Sequence, residues 1–166
     1  MKARIELFRM PRYQEIPNIG LYLEQTIKYI NEVLLPLGCI EVTSSMVSNY
    51  VKKGYIDRPI KKQYNAEQIA RLFFLVVAKQ VLSMENIVML FDIQKASYTS
   101  QQAYDRFCME LETVLQWMFE QSQGEIELPE PETPENKILR SVVIAVSQII
   151  YLNHCFALRK EELEGM

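Results

Sequence analysis

The chain has 166 residues, 49% of them apolar, with five glycines, three cysteines and a formal net charge of −3. That is enough chain for one domain of ordinary size with a real core. The shortage of glycine argues against an all-β fold, whose tight turns demand it, and three widely spaced cysteines exclude a disulfide framework.

Residues 1–12 are basic, and no apolar stretch follows them, so no secretory signal is expected. The first helix should begin after Pro17. Leu23, Ile27, Ile30 and Leu34 recur at helical spacing, and Pro36 and Gly38 end the run. Thr43 and Ser44 then open a second helix, because a hydroxyl there accepts from the unpaired amides of a first turn. Val47, Tyr50 and Val51 give it a short apolar face, and Gly54 is placed to stop it after about three turns. Ser45, Ser48, Asn49, Lys52 and Lys53 fall on its other faces. Residues 54–63 are too short and too proline-marked for another helix; Pro59 holds Arg58 extended, and the segment reads as a turn or small wing.

Asn65 caps a third helix with Glu67 and Gln68 in its first turn. Ile69, Leu72, Phe73, Val76 and Val77 make it apolar over most of its surface, so it is the expected centre of the core. Ser83 starts a short helix whose Ile87, Leu90 and Phe91 should face inward. Thr99 or Ser100 starts a longer one, striped by Tyr104, Phe107, Leu111, Val114, Leu115 and Met118 and running to about Gln121. Residues 122–136 form the clearest loop, with Pro129, Pro131 and Pro134 set among glutamates. Thr133 and Pro134 then open a last long helix. Its apolar stretch, residues 138–158, is broken by Arg140, Ser141, Ser147, Gln148, Asn153 and His154, which favours a core or interface helix over a membrane span. The expected fold class is all-α, with about six helices. Its aromatic and methionine residues, Met89 and Trp117 among them, are read as core, although a pocket between the last two helices leaves room for a small apolar effector molecule.

The modest net charge hides a split. Residues 43–62 carry Lys52, Lys53, Arg58, Lys61 and Lys62 against Asp57 alone, whereas residues 105–135 carry nine acids against Arg106. Ser44, Ser45, Ser48 and Asn49, with Thr43, are short polar groups able to reach base edges or phosphates, and the five cations form an electrostatic footprint for a nucleic-acid backbone. The bland alternative is a solvated cationic face, or a dock for the chain's own acidic loop through Glu125, Glu127, Glu130, Glu132 and Glu135. No CxxC pair exists and His154 is the single histidine, so no metal or cofactor site is expected, and Cys39, Cys108 and Cys155 read as buried free thiols of a reducing, cytoplasmic setting. No Gly-rich phosphate loop or nucleophile motif is present, and His154 and Cys155, adjacent on a helix, point about 100° apart, so an enzyme is not expected.

The run YVKKGYIDRP followed by KKQYNAEQIARLFFLVVAKQVLSMENIVMLF resembles the DNA-binding domain of MerR-type regulators. Tyr50, Gly54, Ile56 and Pro59 match around the recognition helix, and Tyr64, Ile69, Leu72 and the Ser83-Met84-Glu85 start match beyond the wing. The whole chain also resembles an uncharacterised bacterial family, known only as a domain of unknown function and found largely in low-GC Gram-positive bacteria. Its members share the Ile-Pro start, the TSSMVSNYVKKGYI-like segment and the YNAEQI-like helix.

The MerR resemblance implies a winged helix-turn-helix domain over residues 1–98, with a C-terminal helical pair over 99–166 packed on it. It implies a transcriptional regulator that binds double-stranded DNA as a homodimer through helix 99–121 or 138–158, with no membrane partner. The competing expectation is a protein-interaction module whose helix-turn-helix has lost its DNA role. The two differ in whether Ser45, Ser48, Asn49, Lys52 and Lys62 stand exposed and clear of the acidic loop.

Overall fold

Five side-chain caps divide the chain into its helices. Thr43, Asn65, Ser83, Thr99 and Thr133 each accept from the backbone amide three residues on, that of Met46, Gln68, Asn86, Gln102 and Asn136 respectively. The computed structural model describes residues 4–120 and 124–166. It is mostly helical: α1 (Leu23–Leu34), α2 (Ser44–Lys52), α3 (Ala66–Ala78), α4 (Met84–Lys95), α5 (Ser100–Phe119) and α6 (Pro134–Glu164), with a small antiparallel sheet of β1 (Leu21–Tyr22) and β2 (Gln63–Tyr64).

Helix α3 is the core helix that its apolar sequence demands. Eleven of its thirteen residues are buried, so it has no solvent stripe of ordinary width. Phe74 packs edge-on to Phe107 of α5, with ring centroids 5.0 Å apart, and lies 5.5 Å from Phe91 of α4. Helix α5 presents Tyr104, Phe107, Leu111, Val114 and Leu115 to the same core and packs along α6. The inner stripe of α6, Leu139, Val142, Val143, Val146 and Ile150, completes it.

Several features depart from the sequence expectations. The N-terminal segment is built into the fold: Ile5, Phe8, Met10 and Ile16 are buried, and two 3-10 turns, Ile5–Leu7 and Tyr13–Glu15, dock on α5. Arg12 makes a bidentate pair with Glu112 (2.5 and 3.0 Å), whose carboxylate also accepts from Met10 N at 2.9 Å. That pairing holds the Arg12 guanidinium well above its ordinary pKa. Helix α4 continues past Phe91 to Lys95, and α6 runs to Glu164 rather than 158. Met89 and Trp117 are exposed, not core, because each falls on the outer side of its helix. Of the three thiols only Cys108 is buried; Cys39 and Cys155 are half-exposed, and all three are free. Gln121 and Ser122, the expected junction of helix and loop, lie outside the described residues.

Helix α6 is long and apolar enough to cross a membrane by length and composition, and 28% of its most apolar 18-residue stretch is buried in the fold. Beyond Ile150 none of its residues is buried. Ile144, Tyr151, Leu152 and Phe156 remain exposed.

Candidate functional site

The placement of α2 begins one helix earlier. Asn31 on α1 donates from Nδ2 to Val42 O and accepts at Oδ1 from Val42 N, both at 2.9 Å. Val42 is buried, so this reciprocal pair satisfies backbone groups that water does not reach. Thr43 follows as the N-cap, its Oγ1 accepting from Met46 N at 3.2 Å.

Val47 and Tyr50 bury the inner side of α2, with Met46 and Val51 at its margins. At 100° per residue these four occupy one half of the helix, and Ser44, Ser45, Ser48, Asn49 and Lys52 occupy the other. Tyr50 Oη accepts from Lys79 Nζ at 3.2 Å, fixing the helix against the end of α3. Gly54, at φ 79°, supplies the left-handed residue that ends the helix, and the amides of Tyr55 and Ile56 return to Tyr50 O at 2.8 and 3.3 Å.

The turn after α2 is anchored, not free. Ile56 is buried, and Gln68 Nε2 donates to the carbonyls of Asp57 (3.0 Å) and Arg58 (3.1 Å). A two-residue hairpin follows. Ile60 N donates to Gln63 O at 3.1 Å and Gln63 N to Ile60 O at 2.9 Å, enclosing Lys61 and Lys62 at φ 51° and 64°. This is the geometry of a type I′ turn, which ordinarily takes Asn-Gly. The hairpin's second strand, β2, pairs with β1 in the register Leu21 with Tyr64 and Tyr22 with Gln63. Gly20, at φ 88°, permits that approach, since a Cβ there would stand 2.7 Å from Gln63 Oε1.

All ten residues singled out in the sequence are exposed: Thr43, Ser44, Ser45, Ser48, Asn49, Lys52 and Lys53 at α2, and Arg58, Lys61 and Lys62 on the hairpin segment. They form two sets, one on a single helix and one on the segment that follows. Thr43 also has a structural task, the cap. Among the described residues, none of the five cations forms an ion pair, and the acidic loop does not neutralise them. That loop is tied elsewhere: Trp117 Nε1 donates to Gly124 O at 2.8 Å, Arg140 Nη2 donates to Pro129 O at 2.5 Å, and Leu128 packs on the core.

The residues that position the site were the ones sequence reasoning missed. Gln68 carried a signal as the N3 partner of Asn65 in a capping box, but its second bond to the turn carbonyls did not. Asn31 and Gly20 showed none, because each acts on a residue more than ten positions away.

A family model described as a domain of unknown function, DUF1836, matches residues 11–107, more than half of the chain. The chain belongs to this family. The DUF1836 region takes in α2, the hairpin and all ten candidate residues, together with Asn31, Gln68 and the first part of α5; the acidic loop and α6 lie beyond it. No curated protein and no solved structure matches the chain.

Proposed function

We propose that this chain is a DNA-binding transcriptional regulator in which α2 is the recognition helix and the Lys61–Lys62 hairpin is the wing. The observation that carries the reading is the outer half of α2 with the adjoining hairpin. Ten short polar or cationic residues are exposed there, while the opposite side of the same helix is locked to the core. In this reading α1 and α2 with the turn between them act as a MerR-like helix-turn-helix, the hairpin as its wing, and α3 and α4 as its support. Such a helix reads base edges with its polar residues, while lysines and arginine hold the backbone.

The regulator acts as a homodimer, because one short recognition helix reads too few base pairs alone and two-fold pairing supplies a second half-site. Of the two helices considered for the interface, α5 is enclosed by α3, α6 and the N-terminal turns. The outer stripe of α6, with Ile144, Tyr151, Leu152 and Phe156 exposed at 44%, 40%, 51% and 66%, is the better support. The same stripe supports the second reading, a protein-interaction module with a degenerate helix-turn-helix, in which α6 seats a different protein.

Selection from a random duplex library with the full chain separates the two. The regulator enriches an inverted repeat whose half-sites lie one helical turn, about 10 bp, or a multiple apart, and light scattering gives twice the 19.5 kDa chain mass. A monomer that enriches no sequence is an interaction module instead.

A further inference from the structure

The hairpin and β1 together set three side chains in one row. Ile60 pairs with Gln63 across the Lys61–Lys62 turn, and Gln63 pairs with Tyr22 of β1. Residues directly opposite one another in neighbouring strands share a face of the sheet, so Gln63 stands between Ile60 and Tyr22. At the usual strand spacing the row is about 10 Å across. Neither end of it is covered: Ile60 is 73% exposed and Tyr22 51%, and Ile19, beside Gly20, is more exposed still. An isoleucine on an uncovered sheet edge adds nothing to the core and invites unwanted pairing, so packing within the fold does not account for it.

The row is bordered by charge. Lys61 and Lys62 follow Ile60 directly, and Tyr22, Glu24, Pro59 and Lys62 line one open groove. Between α2's last turn and Tyr64, together with the first turn of α1, the cations are Lys52, Lys53, Arg58, Lys61 and Lys62 and the acids are Asp57 and Glu24. The row therefore fits a surface that is both apolar and anionic. Duplex DNA presents deoxyribose edges between its phosphates. An anionic membrane offers the same pairing of properties, but the adjoining outer half of α2 carries Ser45, Ser48 and Asn49 and no large apolar residue. Short polar groups suit base edges, not acyl chains.

We infer that the Tyr22–Gln63–Ile60 row packs against deoxyribose edges of duplex DNA beside the groove that α2 enters, and supplies a part of the affinity that salt does not weaken. The inference rests on the DNA-binding reading above. Tyr22 and Ile60 make the apolar contact, while Arg58, Lys61 and Lys62 hold the flanking phosphates.

The test is fluorescence anisotropy of a random-sequence duplex with the full chain across a salt series, for the parent and for Tyr22→Ser with Ile60→Thr. Every sequence presents deoxyribose edges, so no operator is required. Tyr22 is the N-cap of α1, and Gln25 at the third position accepts from its amide at 2.9 Å; serine is a preferred cap there. Threonine keeps the β-branch at position 60. The double variant is expected to melt with the parent and to bind about tenfold or more weakly at every salt concentration. Its log–log slope is expected to equal the parent's, because an apolar contact releases no counterions. Tyr22→Phe with Ile60→Val keeps the apolar row and is expected to bind as the parent does. Undiminished binding by the first variant, a loss that comes with a reduced slope, or weakened binding by the second overturns the inference and leaves the DNA-binding reading standing. A parent that does not bind the duplex at low salt removes both. Parent binding to phosphatidylserine vesicles that the first variant loses, with duplex binding unchanged, assigns the row to a membrane and overturns the inference as well.

Discussion

Asn31 and Val42 exchange two hydrogen bonds of 2.9 Å, and this clamp joins α1 to the residue just before the α2 cap. Asn31→Ala leaves both Val42 backbone groups unpaired in a buried place, a loss of about 2 kcal/mol or more. Urea unfolding measures it. Asn31→Asp keeps the acceptor oxygen and should fall between the two. In both variants DNA affinity should drop along with stability, because the clamp sets the angle of α2.

Lys61 and Lys62 both occupy left-handed backbone, at φ 51° and 64°. Non-glycine residues there cost roughly 1 kcal/mol or more each, a strain that persists at sites where the side chains are needed. Replacing the pair by Asn-Gly should raise stability by about 1–2 kcal/mol. The same variant should weaken DNA binding and reduce the log–log salt slope by about 1.8, the share of two phosphate contacts. Chemical denaturation and a salt series on one preparation give both values. A variant that is more stable and binds DNA unchanged would take the hairpin out of the interface.

The starts of five helices were legible because local capping rules fix them. Thr43, Asn65, Ser83, Thr99 and Thr133 act as caps where their hydroxyl or amide and the following amphipathic run say they should. The chemical character of the candidate face was legible for a similar reason: polar and cationic residues alternate with Val47 and Tyr50 at helical period. What did not show was non-local. The β1–β2 pair is two residues long on each strand, too short for any alternation, and depends on Gly20 making room for Gln63. The docking of Met10 and Arg12 on Glu112 spans about a hundred residues. The Arg140–Glu110 pair likewise joins α6 to α5 across thirty residues.

Glu110, buried between its two arginines, should be among the least replaceable side chains. Glu110→Ala leaves both guanidinium groups without a counter-charge and should cost about 3–5 kcal/mol. Removing all three charges with Glu110→Leu, Arg106→Met and Arg140→Met should recover most of that loss, as apolar packing replaces the ion cluster. Thermal melting of the two variants beside the parent chain checks the order.

Stability should fall at alkaline pH. Burial pushes the Cys108 thiol up from 9.0 to about 12 and raises the Tyr104 phenol well above its ordinary 10.0. Both groups stay protonated in the fold but ionise in the unfolded chain. Their contribution is therefore complete below pH 9 and is lost as pH rises through 9 towards 12, at about 1.4 kcal/mol per unit for each group titrating. Urea midpoints between pH 8 and 11 should decline, and Cys108→Ala with Tyr104→Phe should flatten the decline.

The most direct measurement of the central claim is the salt dependence of duplex-DNA binding by the full chain and by Lys52→Glu with Lys53→Glu. Both lysines are exposed and form no ion pair among the described residues, so the double variant should melt with the parent. If all five cations meet phosphates, the parent should show a log–log slope of about −4.5 per protomer, and the double variant should show no measurable binding. A parent chain that does not bind duplex DNA at low salt, or a double variant that binds with the parent's slope, would contradict the account.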